Sequence, residues 1–417
     1  MIIKNIRVID PVNGRDEISD IYIRDGLIAS YASDNDEVID GKGLIAGPGL
    51  VDVHVHFRDP GQTHKEDIHT GSAAAVAGGF TSVVMMANTT PPIDDPGIVK
   101  NVLARASKEQ LRIYTCATVT KEMKGEELCD YRSLLDAGAV GFTDDGRPIL
   151  KREILEQAFD AISGLNVPIS LHEEDPAFIR ENGINTGPAA SALGLTGSDR
   201  QAEISMIDRD LNIASKYGIR LNIQHISTAE GVDLVRQAKK TNPNIYAEAT
   251  PHHFTLTDSS VAKYGTNAKM NPPLRSAEDR EAIWEGLADG TVNIIATDHA
   301  PHTAEEKLRD FAAAPSGIIG LETAFILACS TLVKREIIDY SELFRLMSVN
   351  PAKLYGLNAG TLSVGEAADI MIFSPDEVTE YAISRSRSCN SPFLGSTIGG
   401  KIRYTIIGGK IAYSADM

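Results

Sequence analysis

Imidazole and carboxylate side chains recur where apolar runs of this 417-residue chain end. His54 and His56 are two residues apart in the first such run, so in a β-strand both would face the same side and could bind one ion. Later runs end in His172, His225 and Asp298. Ligands without thiolates suit zinc, manganese or iron, and an open coordination position would admit water. The spacing therefore predicts a metal centre.

The turn Asp144-Asp145-Gly146 adds a carboxylate at the end of the fourth run. The two aspartates are adjacent, and spacing alone does not decide which of them would face a metal ion. A single histidine at a strand end is more often structural than a ligand, but five strand ends that all carry a ligand type are hard to explain by chance. Four histidines are not assigned to the site: His64, His69, His252 and His253. The first two lie in the connection after the first run, where exposure to solvent is expected.

The middle of the chain alternates short apolar, β-branched runs with longer stretches that have helical character. Eight runs are predicted as strands: 50–55, 81–86, 112–119, 139–143, 168–171, 220–224, 244–249 and 292–297. Residues 72–77, followed by Gly78-Gly79, are typical of a helix and its C-terminal end. Eight such units predict an α/β fold, a (β/α)8 TIM-type barrel with its active site where the strands end. The long connections 173–202 and 299–320 are candidate substrate clamps.

Both ends of the chain show a different pattern of predicted elements: short strands separated by tight turns such as Asp25-Gly26 and Asp40-Gly41. Neither end is long enough to form a stable β-structure alone. We therefore expect the ends to pair into one small β-sandwich domain beside the barrel. The predicted domains are 1–49 plus 357–417 for the sandwich and 50–356 for the barrel.

Composition narrows the class of partner. Forty Lys and Arg against 57 Asp and Glu give a net charge of −17, which disfavours binding to nucleic acid or to anionic membranes. The longest apolar stretch, 317–333, is interrupted by Glu322 and is short for a membrane span. Four scattered cysteines without a CxxC pair and an N-terminus without a signal peptide favour a cytoplasmic protein.

The order of these motifs resembles the amidohydrolase superfamily, and the motifs themselves resemble those of bacterial class I dihydroorotases over essentially the whole chain. They are HVHFRDPG at 54–61, ANT at 87–89, GFTDDG at 141–146, NPPLR at 271–275, TDHAPH at 297–302 and GEAAD at 365–369. The resemblance implies that the second aspartate, Asp145, bridges two metal ions and that Asp144 supports it.

By the same resemblance, the reaction is the reversible interconversion of N-carbamoyl-L-aspartate and L-dihydroorotate in pyrimidine biosynthesis. It implies two zinc ions bridged by Asp145 and a hydroxide that attacks the amide. The implied ligands are His54, His56, Asp145 and Asp298 for the first ion and Asp145, His172 and His225 for the second. Asp298 is implied as the catalytic base and then acid.

The resemblance also implies a substrate pocket. Arg58 offers a planar fork to the substrate carboxylate, and Asn88 and His302 complete that contact. Asn271, with the backbone of Ser316 and Gly317, would contact the ring amides. Ser316 is smaller than the residue that the family often carries there, so that assignment rests mainly on position.

Two alternatives remain open. Another cyclic amidohydrolase, of the hydantoinase or allantoinase type, would typically use a carboxylated lysine after strand 4, but no lysine lies between Lys124 and Lys151. A non-catalytic partner of aspartate transcarbamoylase would usually have lost metal ligands, and all six are present here. A homodimer and an association of an active enzyme with aspartate transcarbamoylase are both compatible with the sequence.

Overall fold

The computed structural model describes residues 1–31 and 37–416. Within these residues the strands are β1 Ile2–Asp10, β2 Arg15–Arg24, β3 Leu27–Ala29, β4 Val38–Asp40, β5 Ile45–Pro48, β6 Leu50–Val55, β7 Phe80–Met85, β8 Arg112–Thr115, β9 Pro168–Leu171, β10 Arg220–Ile223, β11 Ile245–Ala249, β12 Ile294–Ile295, β13 Ile370–Tyr381, β14 Ser396–Ile407 and β15 Lys410–Ser414. The α-helices are α1 Ile68–Ala77, α2 Pro96–Ala106, α3 Tyr131–Asp136, α4 Arg152–Ile162, α5 Pro188–Ala192, α6 Gln201–Tyr217, α7 Ala229–Lys239, α8 Pro251–Thr255, α9 Val261–Tyr264, α10 Ala277–Ala288, α11 Ala304–Lys307, α12 Ala324–Ala328, α13 Tyr340–Phe344 and α14 Asn350–Tyr355.

The barrel consists of two parallel ladders joined by single-residue bridges. One ladder is β6-β7-β8 and the other is β9-β10-β11-β12. Phe142 lies between them and bridges to Ala117 on one side and Ile169 on the other, and Val55 bridges to His299 on the opposite side of the ring. The eight predicted runs thus occupy successive positions around an α/β barrel, as expected.

The predicted strand over 139–143 is short: Phe142 bridges to both neighbours, and the N–H groups of Val140 and Thr143 donate to the carbonyl oxygens of Thr115 and Ala117, at 3.0 and 2.9 Å. Gly141 packs closely against its surroundings: a Cβ atom at this position would lie 2.8 Å from the Tyr355 ring and 3.0 Å from the Pro168 carbonyl oxygen. A glycine inside a strand weakens it and marks a close backbone approach. By contrast, α1 ends at Ala77 with Gly78 as its cap, as the sequence predicted.

The two chain ends form one mixed sheet of eight strands, in the order β15-β14-β13-β5-β1-β2-β3 with β4 beside β1. The ends meet where β13 runs antiparallel to β5, with Ile370 opposite Pro48. Hydrogen bonds thus join the strands of the expected sandwich into one continuous sheet. It has an apolar cluster of its own, which includes Ile3, Ile6, Val8, Ile370, Ile372 and Ile406. The exact domain boundaries stay a prediction.

Polar and aromatic contacts attach this sheet to the barrel. Arg112 at the start of β8 makes two hydrogen bonds to Asp369, of 2.7 and 3.1 Å. Phe373 of β13 packs edge-on against Phe325 of α12, with ring centroids 4.8 Å apart. These contacts fix the C-terminal strands against the barrel helices. No helix in the described ranges has the length and apolar character needed to cross a bilayer.

Candidate metal centre

His54 is held rigidly at the end of β6. It is fully buried, and its Nδ1 lies 3.0 Å from Oε2 of Glu248 on β11. When a carboxylate accepts a hydrogen bond from Nδ1–H, the lone pair of the neutral ring is on Nε2, and this is the form of histidine that binds a metal. Nε2 lies 3.4 Å from Asp145 Oδ1 and 3.6 Å from Asp298 Oδ1. His54 therefore presents a free nitrogen to two carboxylates.

His56 presents its Nε2 to the same place, as the two-residue period of the strand predicts. Its Nδ1 lies 2.8 Å from Asn88 Oδ1, and its Nε2 lies 3.0 Å from Asp298 Oδ1. Asn88 donates through Nδ2 to Asp145 Oδ2 at 3.2 Å, so its Oδ1 must face His56 as an acceptor. His56 Nε2 therefore faces Asp298 Oδ1, the oxygen that His54 Nε2 also approaches.

The structure separates the two adjacent aspartates. Asp145 Oδ1 lies 3.6 Å from His172 Nδ1 and 3.8 Å from His225 Nε2. Asp144 points the other way and accepts hydrogen bonds from the backbone N–H groups of Val119 and Thr120, at 2.8 and 3.2 Å. Asp145 is thus in contact with the histidines, whereas Asp144 orders the 119–120 backbone.

His225 and Asp298 adopt backbone conformations that side chains rarely take. Their φ angles are +32° and +49°. Positive φ in residues other than glycine is strained and concentrates at functional sites, where the surroundings hold it. His172 completes the cluster, with Nδ1 3.0 Å from His225 Nε2 and Nε2 3.1 Å from Glu174 Oε2.

The residues present fit a metal ion. Two groups of side chains have their ligand atoms within 4.8 Å of one another: His54, His56 and Asp298, and His54, Asp145 and His225. His54 Nε2 and Asp145 Oδ1 are buried, and within the described chain neither has a hydrogen-bond partner. Buried polar atoms are nearly always satisfied. A cation at this position would satisfy both atoms.

The carboxylates of the cluster are ionised at neutral pH. Burial alone would raise the pKa of Asp298, but the hydrogen bond with His56 and the neighbouring His54 hold it well below its usual value. Burial likewise opposes ionisation of Asp145, and His54 and His172 hold its pKa low. Negative charge is thus available to bind a cation.

The cluster forms one wall of a cavity of about 230 Å³. All six residues expected to contact substrate line it: Arg58, Asn88, Asn271, His302, Ser316 and Gly317. Five of the six expected metal ligands line it too, namely His56, Asp145, His172, His225 and Asp298. His54 is buried behind them. The structure therefore brings every predicted site residue to one place.

One end of the cavity is cationic. The Arg58 guanidinium is partly buried, and its Nε lies 3.4 Å from the Pro301 carbonyl oxygen. His302 donates from Nε2 to the Ser316 carbonyl oxygen at 2.8 Å. Burial, together with the charges of Arg58 and Lys65, lowers the pKa of His302 to about 3. His302 is therefore a neutral hydrogen-bonding group beside a charged guanidinium.

Comparison with known proteins identifies the family. Residues 45–412 match the amidohydrolase family. The chain belongs to the amidohydrolase family. A dihydroorotase from Clostridioides difficile (strain 630) is 47% identical over 420 residues, which cover 100% of both chains. A dihydroorotase from Lactococcus lactis subsp. lactis (strain IL1403) is 46% identical over 422 residues, which cover 100% of this chain and 99% of the relative.

A solved amidohydrolase structure supports the fold assignment. The L-hydantoinase (dihydropyrimidinase) from Arthrobacter aurescens matches with a TM-score of 0.87 and 26% identity, and the match covers 99% of this chain and 96% of that one. The protein is thus an amidohydrolase enzyme, and it acts on a small molecule. The His and Asp cluster is compatible with a metal site in such an enzyme.

Sequence reasoning missed two buried acids of this amidohydrolase. Glu248 contacts His54, and its other oxygen accepts from Asn222 Nδ2 at 2.5 Å. Asp52 accepts from Thr297 Oγ1 at 2.5 Å, and burial raises the pKa of Asp52 to about 6. Both acids lie inside predicted strands, and a carboxylate that is buried there needs a hydrogen-bonding or charged partner. This signal in the sequence could have identified them.

Proposed function

We propose that this amidohydrolase is a dihydroorotase, which interconverts L-dihydroorotate and N-carbamoyl-L-aspartate by opening and closing a cyclic amide. The carrying observation is that a guanidinium, Arg58, lines the same cavity as the Asp145 and Asp298 carboxylates. The first group suits a substrate with its own carboxylate, and the second suits hydrolysis of an amide. Relatives named dihydroorotase over the full length of this chain support the same activity.

The metal ions are proposed to be two zinc ions. His54, His56, Asp145 and Asp298 would hold one, and Asp145, His172 and His225 would hold the other. When bound, zinc lowers the pKa of water and polarises a carbonyl group. Asp145 Oδ1 lies 3.4 to 3.8 Å from nitrogens of three histidines, so this single carboxylate can serve both ions. Asp145 is therefore the proposed bridge.

Proton transfer is assigned to Asp298. Its carboxylate is ionised, lines the cavity and is oriented by His56 at 3.0 Å. It can therefore accept the proton of the attacking water and deliver it to the departing ring nitrogen. In the direction of ring closure the same group takes the proton from the attacking nitrogen and delivers it to the departing hydroxide.

Substrate orientation is assigned to the other cavity residues. Arg58 pairs with the substrate carboxylate, and Asn88 and His302 line the same cavity. Asn271 Oδ1 is buried and, within the described chain, has no hydrogen-bond partner. It can therefore accept a ring N–H, while the backbone of Ser316 and Gly317 contacts the other ring amide. These contacts hold the scissile amide against Asp298.

The proposed reaction belongs to pyrimidine biosynthesis, and we propose that the enzyme works in the cytoplasm. A homodimer and an association with aspartate transcarbamoylase stay predictions. Light scattering of the purified enzyme, alone and mixed with aspartate transcarbamoylase, tests both. The mass of a single chain for the enzyme alone would contradict the homodimer. Two separate, unshifted components in the mixture would contradict the association.

The decisive experiment is a hydrolysis assay of dihydroorotate, followed by the loss of ultraviolet absorbance, before and after chelation of metal. We expect activity that disappears on chelation and returns with zinc. Hydantoin and allantoin belong in the same assay, because a hydantoinase has the same fold at 26% identity. Turnover of hydantoin or allantoin but not dihydroorotate would overturn the proposal.

A further inference from the structure

Residues 384–390, here called the strap, lie in the connection between β13 and β14. The strap contacts the loop that follows the first barrel strand. The Arg387 N–H donates to Glu66 Oε1 at 3.1 Å, and Ser388 Oγ donates to the Lys65 carbonyl oxygen at 2.7 Å. A segment of the C-terminal sheet is thus fixed to the catalytic side of the barrel.

Asn390 extends these contacts to the last barrel loop. It is only 2% exposed. Its Nδ2 donates to the carbonyl oxygens of Ala300 and Gly317, both at 3.0 Å, and its Oδ1 accepts from the His302 N–H at 3.0 Å. Both N–H groups and the oxygen of the side-chain amide are thus directed at this loop. One side chain therefore joins residues 300–302 to residue 317.

Both segments that Asn390 joins line the substrate cavity. His302 and Gly317 are part of the cavity wall. They approach closely, since a Cβ atom on Gly317 would lie 2.7 Å from Ala300 Cβ and 3.2 Å from His302 Nε2. A small change in their separation would therefore change the cavity where the substrate carboxylate and ring are proposed to bind.

Two buried lysines hold the rest of the loop. Lys269 Nζ donates to the carbonyl oxygens of Phe311 and Ala314, at 2.6 and 2.7 Å. Lys307 Nζ donates to those of Pro315 and Gly317, at 2.9 and 3.0 Å. The Gly317 carbonyl oxygen thus accepts from both Lys307 and Asn390. The loop is fixed by lysines along residues 311–317, and Asn390 links it to residues 300–302.

We propose that Asn390 is a positioning residue that sets the distance between His302 and the Ser316–Gly317 backbone, and so determines substrate affinity. Asn390 does not line the cavity, so it acts through these two segments. The identity of the substrate rests on the proposed function, whereas the effect of Asn390 on loop geometry does not.

The kinetic test uses Asn390→Leu, which removes all three hydrogen bonds at similar size, and Asn390→Asp, which keeps the acceptor for His302 but places a carboxylate against two carbonyl oxygens. We expect KM for dihydroorotate to rise about tenfold or more, with kcat within about threefold of the parent. The matched control is Ser384→Ala in the same strap, because Ser384 contacts Glu322 and does not line the cavity. Its KM should be unchanged.

Hydrogen exchange supplies a readout that does not need a substrate. Gly317 N–H donates to the Lys269 carbonyl oxygen, and Ile319 N–H donates to that of Asn390. Peptides covering 300–303 and 315–320 should exchange faster in Asn390→Leu and Asn390→Asp than in the parent, and not in Ser384→Ala. Zinc content should be equal in all four proteins.

The outcomes separate the two proposals. Unchanged exchange in either folded Asn390 variant would overturn the positioning role, as would a loss of kcat at constant KM. If the parent enzyme does not hydrolyse dihydroorotate, the proposed function fails, and the exchange comparison still decides the role of Asn390. If Asn390→Leu does not fold, Asn390→Asp carries both measurements.

Discussion

At the scale of single residues, the site depends on carboxylates that are buried and yet ionised. Asp298 and Asp145 are 7% and 3% exposed, and each stays charged because histidines surround it. Removing one charge should therefore affect chemistry or metal binding before it affects folding.

Asp298→Asn should keep the fold but lose hydrolysis by about 10²- to 10⁴-fold, because the amide cannot take up and return a proton. Dihydroorotate turnover measures the loss, and circular dichroism checks the fold. Asp136→Asn, a change at an exposed aspartate, is the matched control. Near-normal turnover of Asp298→Asn would remove Asp298 from its catalytic role.

Arg58→Met and His302→Ala should each raise KM for dihydroorotate by about 10- to 100-fold. A hydrogen bond to a charged group contributes about 1.5–3 kcal/mol, which would be missing from substrate binding. Steady-state kinetics over a range of substrate concentrations measures the change, with Arg132→Met at an exposed arginine as control. Unchanged kinetics in both variants would refute the proposed carboxylate pocket.

Glu248→Gln should weaken metal binding by about 10- to 100-fold, because the carboxylate that orients His54 at 3.0 Å would lose its charge. Metal content after dialysis against graded chelator measures the affinity. Glu153→Gln, at an exposed glutamate, should bind metal like the parent. Equal metal affinity in Glu248→Gln and Glu153→Gln would mean that the charge of Glu248 does not contribute to metal binding.

At the scale of elements, the turn after Phe142 sends adjacent side chains in opposite directions. Asp145 faces the histidines, whereas Asp144 accepts two backbone hydrogen bonds from residues 119–120. A pair of matched substitutions separates these functions, because Asp144→Asn and Asp145→Asn make the same chemical change at adjacent positions.

Asp145→Asn should lose bound metal and activity with little change in the stability of the metal-free protein. Asp144→Asn should keep metal but lower the free energy of unfolding by about 1–3 kcal/mol, since a buried acceptor is replaced by a weaker one. Urea unfolding and metal analysis of both variants test this. Metal loss from Asp144→Asn and not from Asp145→Asn would reverse the assignment of the bridge.

At the scale of the whole molecule, the candidate metal centre is built from strand ends all around the barrel. The candidate ligands come from the ends of β6, β9, β10 and β12 and from the turn after Phe142. An ion bound by all of them stabilises the folded chain, because the unfolded chain cannot gather these ligands.

Removal of metal should therefore lower Tm as well as abolish activity. The stabilisation is about 4 kcal/mol when free metal is a thousand times its Kd. Calorimetry of the chelated enzyme measures the shift, and zinc should restore both Tm and turnover. A Tm that does not depend on metal would contradict a centre that spans the barrel.

Much of this arrangement could be predicted from the sequence because its signals are local. Alternation within β6 places His54 and His56 on one face, and the carboxyl ends of parallel strands gather at one edge of a barrel. The pairing of the two chain ends followed from strands too few to be stable separately. These inferences need only the period of each element and the order of the elements.

Only the tertiary structure decided the rest, because it depends on contacts between distant residues and on turn conformations that periodicity does not encode. Glu248 meets His54 across 194 positions, and Asn390 meets His302 across 88. The choice of Asp145 over Asp144 as the residue facing the histidines depends on which way one turn directs two adjacent side chains. The close approach of Gly141 to Tyr355 and Pro168 likewise joins positions that lie far apart in the sequence.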